Sequence, residues 1–318
     1  MNPFRLLRAL PHQPVRRLAL AAAGLLILGI LARRVDWHQV AGHMATIRWP
    51  FLLGGVVAGL AGMLLRGWRL SVLLGSAQRF LQVFKAIVLG YFGALFLPLG
   101  GGEACRILGL RTLAGFDGST ALGAALVDRT FDVLGLGLVL AGVLLGHSQL
   151  ALTRWREVLG LLAAAGGLGA LGLLGLLVLR GAHPMLDRLA KRLRSFLGTL
   201  AGIALSPRWF RALAIQILIT AADLAGLYVA VHAFPFGGRI PFVAVLKLNL
   251  YTMLGALLPL LPGGLGPAQA ACLLALVPEG VSPSEALAYS VVGQAATILT
   301  ILLLALLVLA RHRPEEAG

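Results

Sequence analysis

Two stretches, LFLPLGGGEACR (Leu95 to Arg106) and LLPLLPGGLGPAQA (Leu257 to Ala270), place proline and glycine in the middle of long apolar segments. Lipid offers no hydrogen bonds to the backbone groups that these residues free, so a helix breaks inside a membrane only where protein or water satisfies those groups. Two such breaks, far apart in the chain, predict a polar site between two halves of a membrane protein. The break residues are Pro98, Gly100, Gly101 and Gly102 in the first stretch and Pro259, Pro262, Gly263, Gly264 and Gly266 in the second.

The composition is that of a membrane protein. Of 318 residues, 59% are hydrophobic and only 12% are charged, and the mean hydropathy is +0.91. Apolar runs near the ~20 residues needed to cross a bilayer recur along the chain, and no polar block is long enough for a soluble domain. The sequence therefore predicts an all-α polytopic membrane protein with a single membrane domain, residues 1–318. The net charge of +15 lies mostly in short loops, which indicates contact with anionic headgroups rather than with nucleic acid.

The apolar runs divide into continuous and broken ones. Six full transmembrane helices are predicted at roughly 17–34, 50–68, 119–146, 157–180, 209–233 and 285–310. Two further regions, 82–116 and 241–278, carry the breaks and are predicted to be re-entrant hairpins of two half-helices; the alternative is eight full spans. A basic amphipathic segment at 181–208, predicted to lie on the cytoplasmic surface, separates a first half at about 17–180 from a second half at about 209–311.

Lysine and arginine predict the orientation. If both hairpins return to their starting side and the N-terminus is cytoplasmic, nineteen basic residues lie inside and six outside, as the positive-inside rule expects. Both termini are then cytoplasmic, in a bacterial-type inner membrane, and the hairpins open to opposite faces. Transporters use such inverted repeats to build a midplane site that faces either side in turn. The similarity between FLPLGGG and LLPGGLG is nevertheless short enough to arise by chance among 41 glycines.

Glu103 and Arg106 directly follow the first break and share one face of the returning half-helix. Charges at membrane depth are costly unless they face a partner or a cavity. One hypothesis gives Arg106 a lipid phosphate to bind, with Glu103 orienting it or meeting a cationic headgroup. The alternative is an ion pair within the helix that only closes the loop.

The motif VDRTFDV places Asp128, Arg129 and Asp132 inside the next long apolar helix. The two carboxylates are four residues apart and lie on one face. They are expected to pair with Arg106 or Arg111, or to hold an amino headgroup. A purely structural ion-pair network is an equal alternative.

Further polar residues lie at membrane depth around the second break. Asp223 and Lys247 are isolated charges for which a mutual pair is a hypothesis, whereas Asn249 and Gln269 are neutral groups for which a structural role is favoured. RGWR (Arg66 to Arg69) ends the second span and is most simply an interfacial anchoring belt; the alternative is that it collects anionic lipid headgroups at the mouth of the first hairpin.

These motifs together resemble a known family. The chain is similar to the lysylphosphatidylglycerol synthase transmembrane region, or flippase-like domain, a family that includes the membrane half of the multiple peptide resistance factor. The segments that carry the similarity are Trp68-Arg69, LFLPLGGGEACRILGLRTLAG, VDRTFDVLGLG and LPLLPGGLGPAQA. The resemblance covers nearly the entire chain, and Asp128 stands where the family usually has Glu. No segment resembles the soluble aminoacyltransferase domain of the resistance factor. The resemblance therefore implies lipid translocation and argues against lysyl transfer.

The sequence thus favours a lipid flippase that moves phospholipid, aminoacyl-lipid or glycolipid headgroups, with membrane lipids as its partners. The expected headgroup-binding residues are Glu103, Arg106, Arg111, Asp128, Arg129 and Asp132. No catalytic residue, metal site or cofactor is predicted, because the glycine runs lack the Lys-Ser or Lys-Thr of a nucleotide-binding loop and no His or Cys ligands cluster. The alternatives are a membrane-embedded partner or subunit of a lipid or glycan biosynthetic enzyme and a structural assembly factor.

Overall fold

The computed structural model describes residues 42–97, 101–146, 206–256, 264 and 266–310. Within these ranges the principal helices are α1 (Trp49–Leu73), α2 (Phe80–Phe96), α3 (Gly101–Thr112), α4 (Gly118–Gly146), α5 (Pro207–Val231), α6 (Phe242–Ala256), α7 (Pro267–Leu276) and α8 (Pro283–Ala310). Outside the described residues lie the predicted spans 17–34 and 157–180, most of segment 181–208, both chain ends, and Pro98, Gly100, Pro259, Pro262 and Gly263.

Four predicted spans coincide with long apolar helices. They are α1, α4, α5 and α8, which have 25, 29, 25 and 28 residues, so that each is roughly 37–44 Å long. A fifth stretch, Ala77–Phe96, is also long and apolar enough to cross a membrane by length and composition. Leucines on the outer face of α8, such as Leu303, which is 62% exposed, fit a surface that meets lipid. The protein is therefore an all-helical integral membrane protein over its described residues.

Both predicted breaks interrupt helices. α2 ends at Phe96, Leu97 is extended, and a new helix begins at Gly101. At the second break, α6 ends at Ala256 and α7 begins at Pro267, where proline fits the first turn of a helix. Gly264 and Gly266 have φ of +72° and +90°, a region that favours glycine over residues with a side chain. These two glycines are therefore required by the backbone of the second break.

The helices on either side of the first break lie antiparallel and very close together. A Cβ added to Gly102 would lie 2.8 Å from the carbonyl oxygen of Gly90, and one added to Gly109 would lie 2.9 Å from Ala86 Cα. Small residues allow this close backbone approach between membrane helices. At the far ends of the pair, Arg79 Nη1 donates to the Ala114 carbonyl at 3.0 Å. The start of α2 and the region after α3 are therefore in contact.

The second pair has the same arrangement. Gly255 of α6 lies against Pro267 of α7, where an added Cβ would be 3.1 Å from the proline Cβ. Toward the other end, Lys247 Nζ donates to Glu279 Oε1 at 2.7 Å. The packing of α6 on α7 is therefore also antiparallel.

Among the described residues, the most extensive helix–helix contact is that of the antiparallel pair α1–α5. Glycines again line the contact: a Cβ on Gly55 would lie 2.9 Å from Ala230 Cβ, and one on Gly75 would meet the Arg208 guanidinium at 2.7 Å. This seam holds the two halves of the chain together.

The two helix series correspond element by element. The lengths of α1–α4 are 25, 17, 12 and 29 residues, and those of α5–α8 are 25, 15, 10 and 28. The packing corresponds as well: α1 contacts α2 as α5 contacts α6, α3 contacts α4 as α7 contacts α8, and α4 contacts α6 as α8 contacts α2. Phe80, Val83, Lys85 and Gly93 recur with the same spacing as Phe242, Val245, Lys247 and Gly255.

Candidate functional site

Six charged side chains from α1, α3 and α4 meet next to the first break. We call them the ionic cluster: Arg69, Glu103, Arg106, Asp128, Arg129 and Asp132. Asp128 lies ten residues after the first residue of α4, which places it ~15 Å along that helix. The cluster therefore lies well inside the apolar part of the molecule.

Asp128 is the centre of the cluster. Its Oδ1 accepts from Arg69 Nε at 2.9 Å, and its Oδ2 accepts from Arg106 Nη1 at 2.8 Å. The side chains of Arg69, Asp128 and Arg106 are only 0%, 2% and 8% exposed. A single buried carboxylate therefore joins two arginines from different helices, one of them on the half-helix that follows the break.

The outer part of the cluster is more accessible. Glu103 Oε2 accepts from Arg106 Nη2 at 2.5 Å, and its Oε1 accepts from Arg129 Nη2. Arg129 Nη1 also donates to Asp132 Oδ2 at 3.0 Å, and Asp132 Oδ1 accepts from Arg69 Nη2 at 2.8 Å. Arg129 is 56% exposed, against 32% for Glu103 and 29% for Asp132. Arg129, Glu103 and Asp132 thus form the open side of the cluster.

The charges of the ionic cluster balance, but the described residues do not satisfy all of its hydrogen-bond donors. Three arginines face three carboxylates, so the cluster as a whole is neutral. Arg106 Nε is buried and has no hydrogen-bond partner among the described residues. An unpaired buried donor on a charged group is costly, and an anionic oxygen would satisfy it.

Arg69 belongs to the site, although the sequence placed it in an anchoring belt. The belt interpretation is wrong for Arg69, which is fully buried, donates to Gln216 Oε1 of α5 and lies 5.6 Å above the Phe131 ring. Gly135 leaves the room that the Gln216 amide occupies. Trp68, 47% exposed, does face outward as a belt residue would.

Arg66 also turns inward. Its guanidinium binds Asp223 in bidentate fashion, with N–O distances of 3.2 and 2.6 Å, in a space left by Gly62. Lys247 binds Glu279 instead. The hypothesis of an Asp223–Lys247 pair is therefore wrong, because each residue faces a closer partner on the helix or turn packed beside it.

The remaining candidates lie apart from the ionic cluster. Arg111 is exposed in the last turn of α3, and Asn249 is buried on α6. At the second break, Gln269 Oε1 accepts from the Gly266 backbone N–H at 2.7 Å and Gln269 Nε2 donates to Gln294 Oε1 at 2.6 Å. Among the described residues, no group of three His, Cys, Asp or Glu side chains could hold a metal ion.

Comparison with known proteins places the chain in a family. The family model described as "Lysylphosphatidylglycerol synthase TM region" matches residues 16–305. A "UPF0104 membrane protein" from Methanothermobacter thermautotrophicus is 25% identical over 247 residues, which cover 70% of this chain and 72% of that protein. No solved structure matches the chain. Because the family model spans nearly all of it, this chain belongs to the lysylphosphatidylglycerol synthase transmembrane-region family.

Proposed function

We propose that this protein is a lipid translocase that moves a polar headgroup across the membrane while the acyl chains stay in lipid. The observation that carries the proposal is the ionic cluster at the first break, in which Arg106 Nε is buried and has no partner in the part of the chain that the structure describes. Charged groups at membrane depth are expensive and commonly mark substrate pathways. A lipid phosphate is the shared chemistry of phospholipid, aminoacyl-lipid and phosphate-bearing glycolipid headgroups, and guanidinium groups bind phosphate well.

The open side of the cluster supports an exchange mechanism. Arg129 is held by Glu103 and Asp132 but is more than half exposed, so it can turn toward an arriving phosphate without uncovering Asp128. The carboxylates that it leaves then face a cationic or hydroxyl part of the same headgroup. The protein groups replace the water that the headgroup loses, which lowers the cost of its passage.

The topology that suits this function is an inverted repeat. We take α2–α3 and α6–α7 as re-entrant hairpins from opposite faces, α1–α4 and α5–α8 as the repeats, and both termini as cytoplasmic in an inner membrane. The antiparallel packing of each pair, the Arg79–Ala114 contact and the matching helix lengths support it. A full crossing by Ala77–Phe96, which is long enough, is the alternative.

The test is headgroup movement in proteoliposomes. Purified protein is reconstituted with fluorescent phospholipids, and a quencher that reaches only the outer leaflet reports the loss of inner-leaflet signal. Arg129→Gln is the main variant because it alters the most exposed arginine of the cluster. Arg211→Gln, on the exposed side of α5 outside the cluster, is the matched control.

We expect the unmodified protein and Arg211→Gln to accelerate headgroup movement. The rate for folded Arg129→Gln should be lower by about tenfold or more, which corresponds to a barrier raised by ~1.4 kcal/mol. No acceleration by the unmodified protein with any headgroup would contradict the proposal.

The complete charge balance of the cluster favours a second candidate, a membrane-embedded partner of a lipid or glycan biosynthetic enzyme. In that case substitutions in the cluster would lower the amount of folded protein and no lipid would move.

A further inference from the structure

The second half of the chain contains a counterpart of the open side of the ionic cluster. The equivalence follows from the glycines at the two hairpin contacts. A Cβ on Gly93 would lie 3.3 Å from the carbonyl oxygen of Gly101, and one on Gly255 would lie 3.4 Å from that of Pro267. Gly101 and Pro267, the first residues of α3 and α7, therefore hold the same position in the two hairpins.

Counting from these positions identifies matching side chains. Glu103 lies two residues after Gly101, as Gln269 lies two residues after Pro267. Arg129 and Gln294 hold the same position in the helices that follow, since each is the twelfth residue of α4 or α8. The Glu103–Arg129 ion pair and the Gln269–Gln294 hydrogen bond thus join corresponding helices at corresponding places.

We call these two contacts junctions: the Glu103–Arg129 junction between α3 and α4, and the Gln269–Gln294 junction between α7 and α8. Their chemistry differs. Gln269 and Gln294 are uncharged, and the position of Arg106, three residues after Glu103, is held in α7 by the buried Cys272. The exposure differs too: the Glu103 side chain is 32% exposed, whereas Gln269 is buried. One junction is therefore ionic and open, and the other is neutral and closed.

We infer that the Gln269–Gln294 junction is a second headgroup site, which binds headgroup oxygens through neutral hydrogen bonds after the headgroup leaves the ionic cluster. The inference rests on the proposed function, because an inverted repeat exchanges the open and closed states of its halves. Amide groups both donate and accept hydrogen bonds, so they hold phosphate and hydroxyl oxygens without requiring a charge of either sign.

A charge placed at this junction tests the inference. Gln269→Glu keeps an oxygen to accept from the Gly266 N–H but adds a negative charge where the headgroup would pass. The probes are fluorescent phosphatidylglycerol, which is anionic, and fluorescent phosphatidylcholine, which is zwitterionic, in proteoliposomes. Thr300→Ala is the control, because Thr300 Oγ1 donates to the carbonyl of Ala296 within the same helix, α8.

In Gln269→Glu we expect the rate of phosphatidylglycerol movement to fall about tenfold relative to the rate for phosphatidylcholine. A charge repulsion of ~1.4 kcal/mol is enough for a change of this size. The double variant Gln269→Glu with Gln294→Arg copies the ion pair of the first half and should restore the ratio. Equal slowing of both lipids, or no change in the ratio, would overturn the inference, since a merely structural role does not read headgroup charge. Failure of the proposed function is distinguishable, because then the unmodified protein moves neither lipid.

Discussion

Asp128 accepts hydrogen bonds from two arginines, and this makes it the side chain on which the ionic cluster most depends. Asp128→Asn would leave the buried guanidinium groups of Arg69 and Arg106 without their shared counter-charge. Breaking a buried ion pair in this way costs about 3–5 kcal/mol. Asp132→Asn should cost less, because Asp132 is 29% exposed and water can replace part of the lost interaction. Unfolding of the purified variants in detergent measures both; equal losses would contradict the central position of Asp128.

The stability of the N-terminus of α4 is expected to depend on pH, because Asp117 caps this helix. Asp117 Oδ1 accepts from the backbone N–H groups of Ser119 and Thr120 at 2.9 and 3.0 Å, so the residue caps the helix. Hydrogen bonds from the Ser119 side chain, and then from Thr120, hold the pKa of Asp117 below its ordinary 3.8. Because the folded pKa is the lower one, the stabilisation is complete above about pH 5 and is lost progressively as the pH falls through and below the ordinary pKa.

We therefore expect the difference in melting temperature between the unmodified protein and Asp117→Asn to be constant above about pH 5 and to shrink below about pH 4. Asparagine is the suitable variant since it caps a helix but does not titrate in this range. A difference that stays constant down to pH 3 would show that the charged carboxylate adds nothing to the cap.

Sequence reasoning located part of the ionic cluster. One of its alternatives was that the carboxylates of VDRTFDV pair with Arg106 or Arg111, and the structure shows an Arg106–Asp128 bond. Sequence reasoning missed Arg69, because an arginine near the end of an apolar run resembles an interfacial residue. The available signal was the i, i+3 spacing of Arg66 and Arg69, which gives both one face of a helix. Gln216 carried no signal, since its partner is distant in sequence and depends on how α1 and α5 pack.

The contact between α2 and α3 depends on glycine at the crossing point. Gly102→Ala would place a Cβ 2.8 Å from the Gly90 carbonyl oxygen, so the helices must separate. Gly123→Ala is the control, because nothing lies within 4 Å of the added Cβ and alanine favours a helix by ~1 kcal/mol. We expect a lower melting temperature for Gly102→Ala and an equal or higher one for Gly123→Ala. The same shift in both would show that close packing is not what selects glycine at position 102.

The interruptions of the helices could be predicted and their packing could not. Proline and glycine act through the local backbone, so the ends of α2 and α6 follow from residues in the breaks themselves. The antiparallel approach of α2 and α3 depends on Gly90 and Gly102 meeting across the pair, which no single stretch reveals. The first half-helix is also longer than predicted, because α2 begins at Phe80 and a short 3₁₀ turn precedes it. Together they form Ala77–Phe96, whose 20 residues are enough to cross a bilayer.

Accessibility to a membrane-impermeant thiol reagent tests the topology. In a background with Cys105 and Cys272 replaced by alanine, Gln78→Cys and Thr112→Cys mark the two outer ends of the α2–α3 pair, and both positions are exposed. Gly238→Cys marks the connection between α5 and α6, where an added side chain meets nothing within 4 Å.

If the first pair is a re-entrant hairpin, Gln78→Cys and Thr112→Cys react from one face and Gly238→Cys from the other. Opposite-face labelling of Gln78→Cys and Thr112→Cys would mean that the region crosses the membrane. That result would replace the hairpins with full spans and remove the inverted topology.

Composition was sufficient to predict an all-helical membrane protein, because length and hydropathy alone decide whether a helix can span lipid. The correspondence between α1–α4 and α5–α8 was only suggested by FLPLGGG and LLPGGLG. It became clear from helix lengths and contacts, since residues such as Lys85 and Lys247 are too few to reveal a repeat by themselves.

If the protein carries lipid as proposed, the bonds of the ionic cluster also bear on how well it seals the membrane between transport events. Separating α3 from α4 breaks at least the Arg106–Asp128 and Glu103–Arg129 contacts, whereas α1 stays tied to α4 through Arg69. At ~1.5–3 kcal/mol for the buried Arg106–Asp128 bond and ~0.2–1 kcal/mol for the exposed Glu103–Arg129 pair, the separated form is roughly a twentieth to a thousandth of the population. In the proposed translocase, an idle molecule is therefore expected to leak few ions or protons, because α3 and α4 stay together unless a headgroup replaces the bonds that opening breaks.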